Sequence, residues 1–493
     1  VRLWATEPLL ANPVAFDVAP DGRVYVAETF RQESECVPDN RTFPEFLEDD
    51  LRTETVEQRG ENYLKHHPAF LTEWTDQEER IRVLWDEDGD GRAETSKVFA
   101  RGFSGLLDGT GAGVLAVDGD VYFTCIPKLW KLTDADRDGV AEGGVALHHG
   151  YGPRIAFRGH DLHGLIRGPD GKIYFSVGDR GYHVISPEGQ LLRDPGRGGV
   201  FRCNLDGTDL EVFARGLRNP QELAFDDYGN LFTVDNNCDA GDRARLIYLV
   251  EGGDSGWSMN FQYLGDRGPW MPEGWWQPRD QVPDQASFLN PPLANVTSGP
   301  SGFAHYPGVG LPEKYANSFF ICDFTGGSVS SGVRRFTLEP DGAGWKMAQQ
   351  EEFWWGILTT DCGFGPDGAL WVLDWVDGWV GAGKGRLYRG AFPEAWSDVA
   401  RETAALLAAD FSGRDPEELG ALLGHPDRRV RLKAQFMLVA RHAEEILRRS
   451  DLAEDEAAAR VATVLGAAWL PQAQGRLRRI HAIWGLIGLG RVD

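Results

Sequence analysis

His160 and Asp179 are the two residues of this chain best matched to proton transfer. Between them run His163-Gly164-Leu165-Ile166-Arg167, the turn Gly168-Pro169-Asp170-Gly171, and a stretch in which Ile173, Phe175 and Val177 alternate with Tyr174 and Ser176. Alternation of period two is strand chemistry, and Pro-Asp-Gly is turn chemistry. The nineteen-residue spacing therefore puts the histidine and the aspartate in turns at the same end of a blade. A carboxylate beside an imidazole fixes its orientation and makes an oriented base.

Arg218-Asn219-Pro220-Gln221 precedes another strand-like run. The residue before a proline is held extended. Arg218 and Asn219 are therefore expected to point from a rim into a central cavity. Arg218 there would stabilise developing negative charge. A purely structural turn is the competing reading. Four histidines, His148, His149, His160 and His163, come in close succession, but no cysteine and no His-x-x-x-His accompanies them, which argues against a transition-metal site.

Three turns carry dense carboxylates. Asp86, Asp88, Asp90 and Glu94 fall at positions 1, 3, 5 and 9 of one loop, and Asp134, Asp136, Asp138 and Glu142 repeat the spacing, each with glycine at position 6. Alternate oxygens around a glycine turn can wrap a Ca2+ ion, which takes 6 to 8 oxygen ligands. Lys97 stands where an EF-hand would have its glutamate, so the expectation is a structural Ca2+ loop of another kind, weighed against an exposed acidic turn. The third turn, Asp235-Asn236-Asn237-Cys238-Asp239-Ala240-Gly241-Asp242, is expected either to ligate a cation near the channel through Asp235, Asp239 and Asp242 or to be a solvated loop.

Something must hold these turns together, and a repeat supplies it. Asp/Gly turns feed short β-rich runs at Pro20-Asp21-Gly22, Asp118-Gly119, Pro169-Asp170-Gly171, Asp227-Tyr228-Gly229 and Pro366-Asp367-Gly368, with a degenerate unit at Pro307-Gly308. Six units, roughly 50 to 100 residues apart, predict a mostly β, six-bladed propeller. Residues 36–80 break the pattern with loosely helical spacing and predict an insertion of short helices over one face. After about residue 396 Ala and Leu dominate and the period becomes 3.6. The domain expectation is a propeller over 1–395 and a short HEAT-like helical repeat domain over 396–493.

Of 493 residues, 50 are basic and 75 acidic, a net charge of −25. Nucleic-acid binding proteins carry a basic footprint, so no nucleic-acid partner is expected. No apolar run reaches membrane-spanning length, so no transmembrane segment is expected. The chain starts at Val1 rather than methionine, which fits removal of a signal peptide and a periplasmic or secreted protein. Cys125 and Cys322 read as small buried side chains, and without Cys-x-x-Cys-His no covalent haem is expected. Trp270, Trp275 and Trp276 could stack on sugars or pack between blades. Trp354, Trp355, Trp371, Trp375 and Trp379 are expected to pack between blades.

The stretch His160–Gly181 together with Arg218-Asn219-Pro220-Gln221 resembles the soluble quinoprotein glucose and sorbosone dehydrogenase superfamily. Val250-Glu251-Gly252-Gly253-Asp254-Ser255-Gly256-Trp257, Asp374-Trp375-Val376-Asp377-Gly378-Trp379 and Gly383-Lys384-Gly385-Arg386-Leu387-Tyr388-Arg389 resemble a planctomycete and verrucomicrobial membrane-bound dehydrogenase family, in which a propeller precedes HEAT repeats and often a cytochrome c domain. The resemblance implies six blades, Ca2+ and pyrroloquinoline quinone (PQQ). It implies His160 as the base on a sugar hydroxyl and Asp179 as its orienting partner. Arg218, Asn219, Gln221 and His163 would contact the cofactor, and the backbone at Asn237-Cys238 would hold calcium. Two departures stand out. The segment Ile357–Cys362 lacks the family's pair of quinone-binding arginines, and no lysine stands near Thr325–Ser328. The expected activity is a periplasmic sugar or polyol dehydrogenase passing electrons to a quinone or cytochrome acceptor. The alternatives are a Ca2+-dependent hydrolase, lactonase or lyase acting on carbohydrate, and a non-catalytic carbohydrate-binding scaffold.

Overall fold

A computed structural model describes residues 1–32, 36–392, 397–448, 463–465 and 475–489. Six sheets stand around a central channel, as the repeat predicts, all antiparallel except for a short parallel strand, Gly253–Asp254, at the outer edge of the third. The strands lining the channel are Pro13–Val18, Gly111–Val117, Leu162–Arg167, Pro220–Phe225, Pro300–His305 and Thr359–Phe364. They head blades 1 to 6. The ring closes because the first strand, Arg2–Thr6, pairs with Arg386–Gly390 as the outer strand of blade 6.

The second strand of each blade is apolar on both faces because it is sandwiched. In Val24–Glu28, Val24 and Val26 pack toward blade 6 while Tyr25 and Ala27 pack toward blade 2. In Ser318–Asp323, Phe319 and Ile321 face blade 4, and Phe320 and Cys322 face blade 6. Each fully buried Val, Ile or Phe contributes roughly 1.5–3 kcal/mol. One apolar cluster fills each gap between neighbouring blades.

One end of the channel is built from the Asp/Gly turns. Gly171 at φ +87° and Gly368 at φ +75° occupy left-handed positions that these turns require. The helices Asp398–Ala408, Pro416–Leu422, Arg428–Arg448 and Arg476–Gly488 follow, and they cover this end. Arg429 donates to the carbonyls of Phe364 and Gly365 at 2.9 and 2.7 Å, and Arg431 to Asp227 at 2.6 Å. Gln435 donates to the Pro169 carbonyl at 2.6 Å, and the Arg167 guanidinium lies 4.0 Å over the Phe436 ring. The expected domain boundary at 395/396 and much of 449–474 fall outside the described residues.

The predicted insertion is present as Leu47–Asp50, Val56–His66 and Leu71–Trp74 with short 3-10 turns. Its longest helix starts at a capping box, in which Thr55 and Gln58 satisfy each other's backbone N–H. All six cysteines are buried. No helix among the described residues is long and apolar enough to cross a membrane.

Candidate active site

Each of the six inner strands loses register once near its start, between residues 13/15, 111/113, 163/166, 220/223, 300/303 and 359/361. One extra residue at the same level in every blade re-aims side chains toward the axis. Val14, Ala112, His163, Gln221, Ser301 and Thr360, at or beside these bulges, line a cavity of about 510 Å³. The turns above them add His160, Arg218, Asn219, Asp239, Arg41 and Arg158, and blades 5 and 6 add Phe324, Trp375 and Trp379.

Two adjacent residues of one turn bind two adjacent residues of another. His160 Nδ1 lies 2.7 Å from Asp179 Oδ1, and the buried Arg180 donates to Asp161 at 2.7 Å. The first pair meets the cavity and the second braces the turns from inside the protein. Trp257 Nε1 donates to Asp179 Oδ2 at 2.8 Å, so both carboxylate oxygens are held. Burial raises the Asp179 pKa, but the neighbouring His160, Arg218 and Trp257 outweigh it and hold the carboxyl below its usual range. A charged Asp179 accepts Nδ1–H and leaves Nε2 as the basic nitrogen. Nε2 makes no hydrogen bond to any described residue. His163 donates from Nε2 to the Gly159 carbonyl at 3.1 Å, and burial pushes its pKa down.

Arg218 and Asn219 are both 2% exposed and line the cavity, as the proline following them predicted. Arg218 donates from Nε to Gln262 at 3.2 Å and from Nη2 to Asp239 at 3.3 Å. Its guanidinium lies 5.7 Å from the Trp257 ring and 5.8 Å from Phe157. Asn219 Oδ1 and Trp375 Nε1 are buried without a partner. Unsatisfied buried polar atoms on a cavity wall are what a bound polar ligand would satisfy.

The helical insertion holds the His160 turn in place. Asp50 accepts the amides of Ile155 and Ala156 at 2.6 and 3.0 Å, and Asp39 accepts that of Arg158 at 2.8 Å. Asn40 ties Asp50 to the Tyr263 hydroxyl at 2.6 and 2.9 Å. The turn leading into His160 is therefore built partly by residues more than a hundred positions earlier. Ala156 sits at φ +44° in this turn, so its backbone depends on these bonds.

In the third acidic turn, expected either to ligate a cation or to be a solvated loop, the carboxylates are engaged by groups of the protein. Asp235 accepts the amides of Arg218 and Asn219 and pairs with the buried Arg245. Asp242 accepts the Cys238 amide at 2.9 Å and Trp270 Nε1 at 3.1 Å, and Asp239 pairs with Arg218. These groups fix the loop; they do not converge. The Cys238 carbonyl accepts from Gln262 at 3.1 Å. The other two loops do converge: one carboxylate oxygen each from Asp86, Asp88, Asp90 and Glu94 lie within 4.8 Å of one another, as do those of Asp134, Asp136 and Asp138. Glu142 stands apart from its predicted set and accepts the Ala135 and Asp136 amides at 2.9 and 3.2 Å.

Trp270 takes the packing alternative, whereas Trp379 departs from the packing expected of it. Trp270 is fully buried and packs edge-on against Trp257 at 4.9 Å. Trp379 is 69% exposed and stands on the cavity rim against Phe324. Val376 in the same loop has φ +82°, an unusual conformation for a β-branched residue and a mark of local strain. His148 is buried and bonded to the Gly207 carbonyl at 2.7 Å, a structural role.

The sequence motifs did not single out Arg41, Arg158, Trp257 or the strand-end acids Glu28, Asp323 and Asp374, whereas Asp235 was named in the third acidic turn. The acids had a signal: Glu28, Asp235, Asp323 and Asp374 all end the second strand of a blade. Arg41 and Arg158 also line the cavity; these charges come from the insertion and the His160 turn, not from Ile357–Cys362.

A segment of 135 residues is 31% identical to quinoprotein glucose dehydrogenase B of Acinetobacter calcoaceticus, covering 22% of this chain and 28% of that protein. The chain thus spans under a third of that relative's length. Among solved structures, the PQQ-bound aldose sugar dehydrogenase of Streptomyces coelicolor is 17% identical with a TM-score of 0.45, over 79% of this chain and 96% of that one. The soluble aldose sugar dehydrogenase of Escherichia coli in its apo-form is 15% identical with a TM-score of 0.46, over 79% and 98%. A family profile described as a domain of unknown function, DUF7133, matches residues 1–386, and the chain belongs to that family.

Proposed function

We propose that this protein is a sugar or polyol dehydrogenase that uses PQQ, with His160 as general base. The observation that carries the reading is the 2.7 Å His160–Asp179 pair opening with Arg218 onto one cavity. The polar lining fits the cofactor: three arginines and the Trp375 N–H as donors suit a polycarboxylate, and the Asn219 oxygen, without a partner among the described residues, can accept from a polar group of the ligand. Arg218, Asn219, Gln221 and His163 would hold it. The chemistry such a quinone supplies when bound is acceptance of two electrons from a carbon–hydrogen bond. His160 Nε2 takes the proton of the substrate hydroxyl, while Asp179 stabilises the imidazolium that results. Arg218 stabilises negative charge that develops beside it. Trp379 offers an exposed ring on which a sugar can stack.

The reading includes Ca2+ in the loops 86–94 and 134–138, where its role is structural because both lie in the outer turns of blades 1 and 2. It includes a periplasmic or secreted setting, supported by the acid-rich composition, a quinone or cytochrome c acceptor, and a HEAT-like character for the helical tail. The metal-dependent hydrolase alternative is weakened, since Asp235 and Asp242 are engaged by backbone amides and Arg245. The test is reconstitution with PQQ and Ca2+ followed by dye reduction with a panel of aldoses and polyols. Turnover with at least one of them is expected; none with any of them would contradict the reading.

A further inference from the structure

The charge on the cavity wall runs against that of the chain. The protein carries −25 overall, yet the wall holds Arg41, Arg158 and Arg218 against a single carboxylate, Asp239, which is already on Arg218. Two of the three arginines are compensated. Arg41 is gripped by Asp39 through Nε at 3.0 Å and Nη2 at 2.6 Å. Arg158 is different: its amide donates to Asp39 at 2.8 Å, and its guanidinium forms no hydrogen bond or ion pair with any described residue. Asp39 therefore fixes the backbone of one arginine and the side chain of the other. Phe157 sits among them, with the Arg41 guanidinium 4.3 Å and the Arg218 guanidinium 5.8 Å from its ring.

We propose that Arg158, assisted by Arg41, binds a carboxylate of the pocket's ligand and replaces the cationic clamp that is missing from Ile357–Cys362. A guanidinium fork matches a carboxylate in two-point geometry, and a wall with surplus positive charge selects an anion over a neutral sugar. Arg41 Nη1 forms no hydrogen bond to any described residue, since its contacts with Asp39 use Nε and Nη2. The proposal rests on the reading of this cavity as the binding site. It leaves one chemistry with two sources: the carboxylates of PQQ, or the carboxylate of an acidic sugar.

Equilibrium titration calorimetry on the full chain in calcium-containing buffer tests it, with PQQ, glucuronate and glucose as separate probes. The expected result is that at least one carboxylate probe binds, that Arg158→Ala weakens it tenfold or more, and that Arg158→Lys recovers part of the loss. Arg41→Ala moves affinity in the same direction, and any glucose affinity is unchanged by either variant. Weakening of PQQ identifies the cofactor as the anion, and weakening of glucuronate the substrate. The clamp is overturned if Arg158→Ala leaves every carboxylate affinity within twofold, or if neither carboxylate probe binds. Equal binding of both PQQ and glucuronate by Arg158→Ala removes the clamp, and PQQ binding then leaves the proposed function standing. Glucuronate bound without PQQ leaves the clamp and removes the quinone. Unchanged thermal unfolding of the variants shows that the fold is intact.

Discussion

The same six inner strands end in two different ways. At one end each strand carries a bulge, the turns above are long, and buried polar atoms such as Asn219 Oδ1 stay without partners. At the other end short turns satisfy themselves. Asp170 accepts the Lys172 amide at 3.1 Å, Asp226 the Asn230 amide at 2.9 Å, and Asp367 the Ala369 amide at 3.0 Å. That end is then sealed by the helical tail through Arg429, Arg431 and Gln435. Regular backbone leaves nothing for a ligand to satisfy, whereas a bulge frees groups and aims them at the axis. The contrast assigns chemistry to the bulged end and stability to the sealed one.

The contrast breaks most sharply at His160. His160→Ala should lower kcat/KM by about 10²–10⁴-fold, the range for loss of a general base, with little change in melting temperature. Steady-state dye reduction and calorimetric melting check this together. A large loss of stability with retained turnover would move the chemistry elsewhere.

The sealed end should behave in the opposite way. Arg431 is fully buried and paired with Asp227, so Arg431→Ala breaks an ion pair inside the protein. Asp227 is partly exposed and keeps Arg428 at 3.6 Å, so the cost is that of the partly buried carbonyls of His425 and Pro426 losing their donor, about 1–3 kcal/mol. Urea unfolding should show that loss, while turnover per folded molecule stays within twofold.

Asp50 joins the two properties. Asp50→Asn leaves one amide of Ile155 or Ala156 poorly matched, at about 1–3 kcal/mol. Because the same turn carries His160, kcat should fall several-fold as well. A stability loss with unchanged kcat would show that the insertion merely covers the site.

The smallest effect concerns pH. Burial pushes the Glu79 carboxyl up to about 7, against 4.5 for an exposed one, although the amides of Gly111, Arg31 and Phe30 and the Thr29 hydroxyl pull it back. Between these values the folded chain holds more protons than the unfolded chain, so the contribution of Glu79 to stability falls as pH rises. The stability difference between wild type and Glu79→Gln should shrink from pH 4.5 to pH 7. A constant or growing difference in urea titrations at the two pH values contradicts it.

What could be read along the chain was what is local. The blade count follows from turns that repeat, and the His160–Asp179 pair follows from one turn, one hairpin and one more turn. Arg218 and Asn219 were legible because a proline restricts them. Arg41 was not, because nothing beside it marks a site; Asp39 and Asp50 carry the insertion to the His160 turn across the fold. Trp257 stood in a recognisable phrase, yet its contact with Asp179 spans 78 residues. Asp235 and Asp242 were read as cation ligands since an acidic turn looks the same whether its oxygens face a metal or N–H groups. Trp379 was assigned to packing, and only the strained loop around Val376 exposes it.

The central claim is that the bulged end oxidises a sugar with His160 as its base. Anaerobic rapid mixing of the PQQ- and Ca2+-loaded protein with an aldose, followed at the quinone absorbance, tests it most directly. The account predicts reduction of the quinone within one turnover in the wild type and none on that timescale in His160→Ala carrying the same amount of quinone. Equal rates in the two proteins would contradict it.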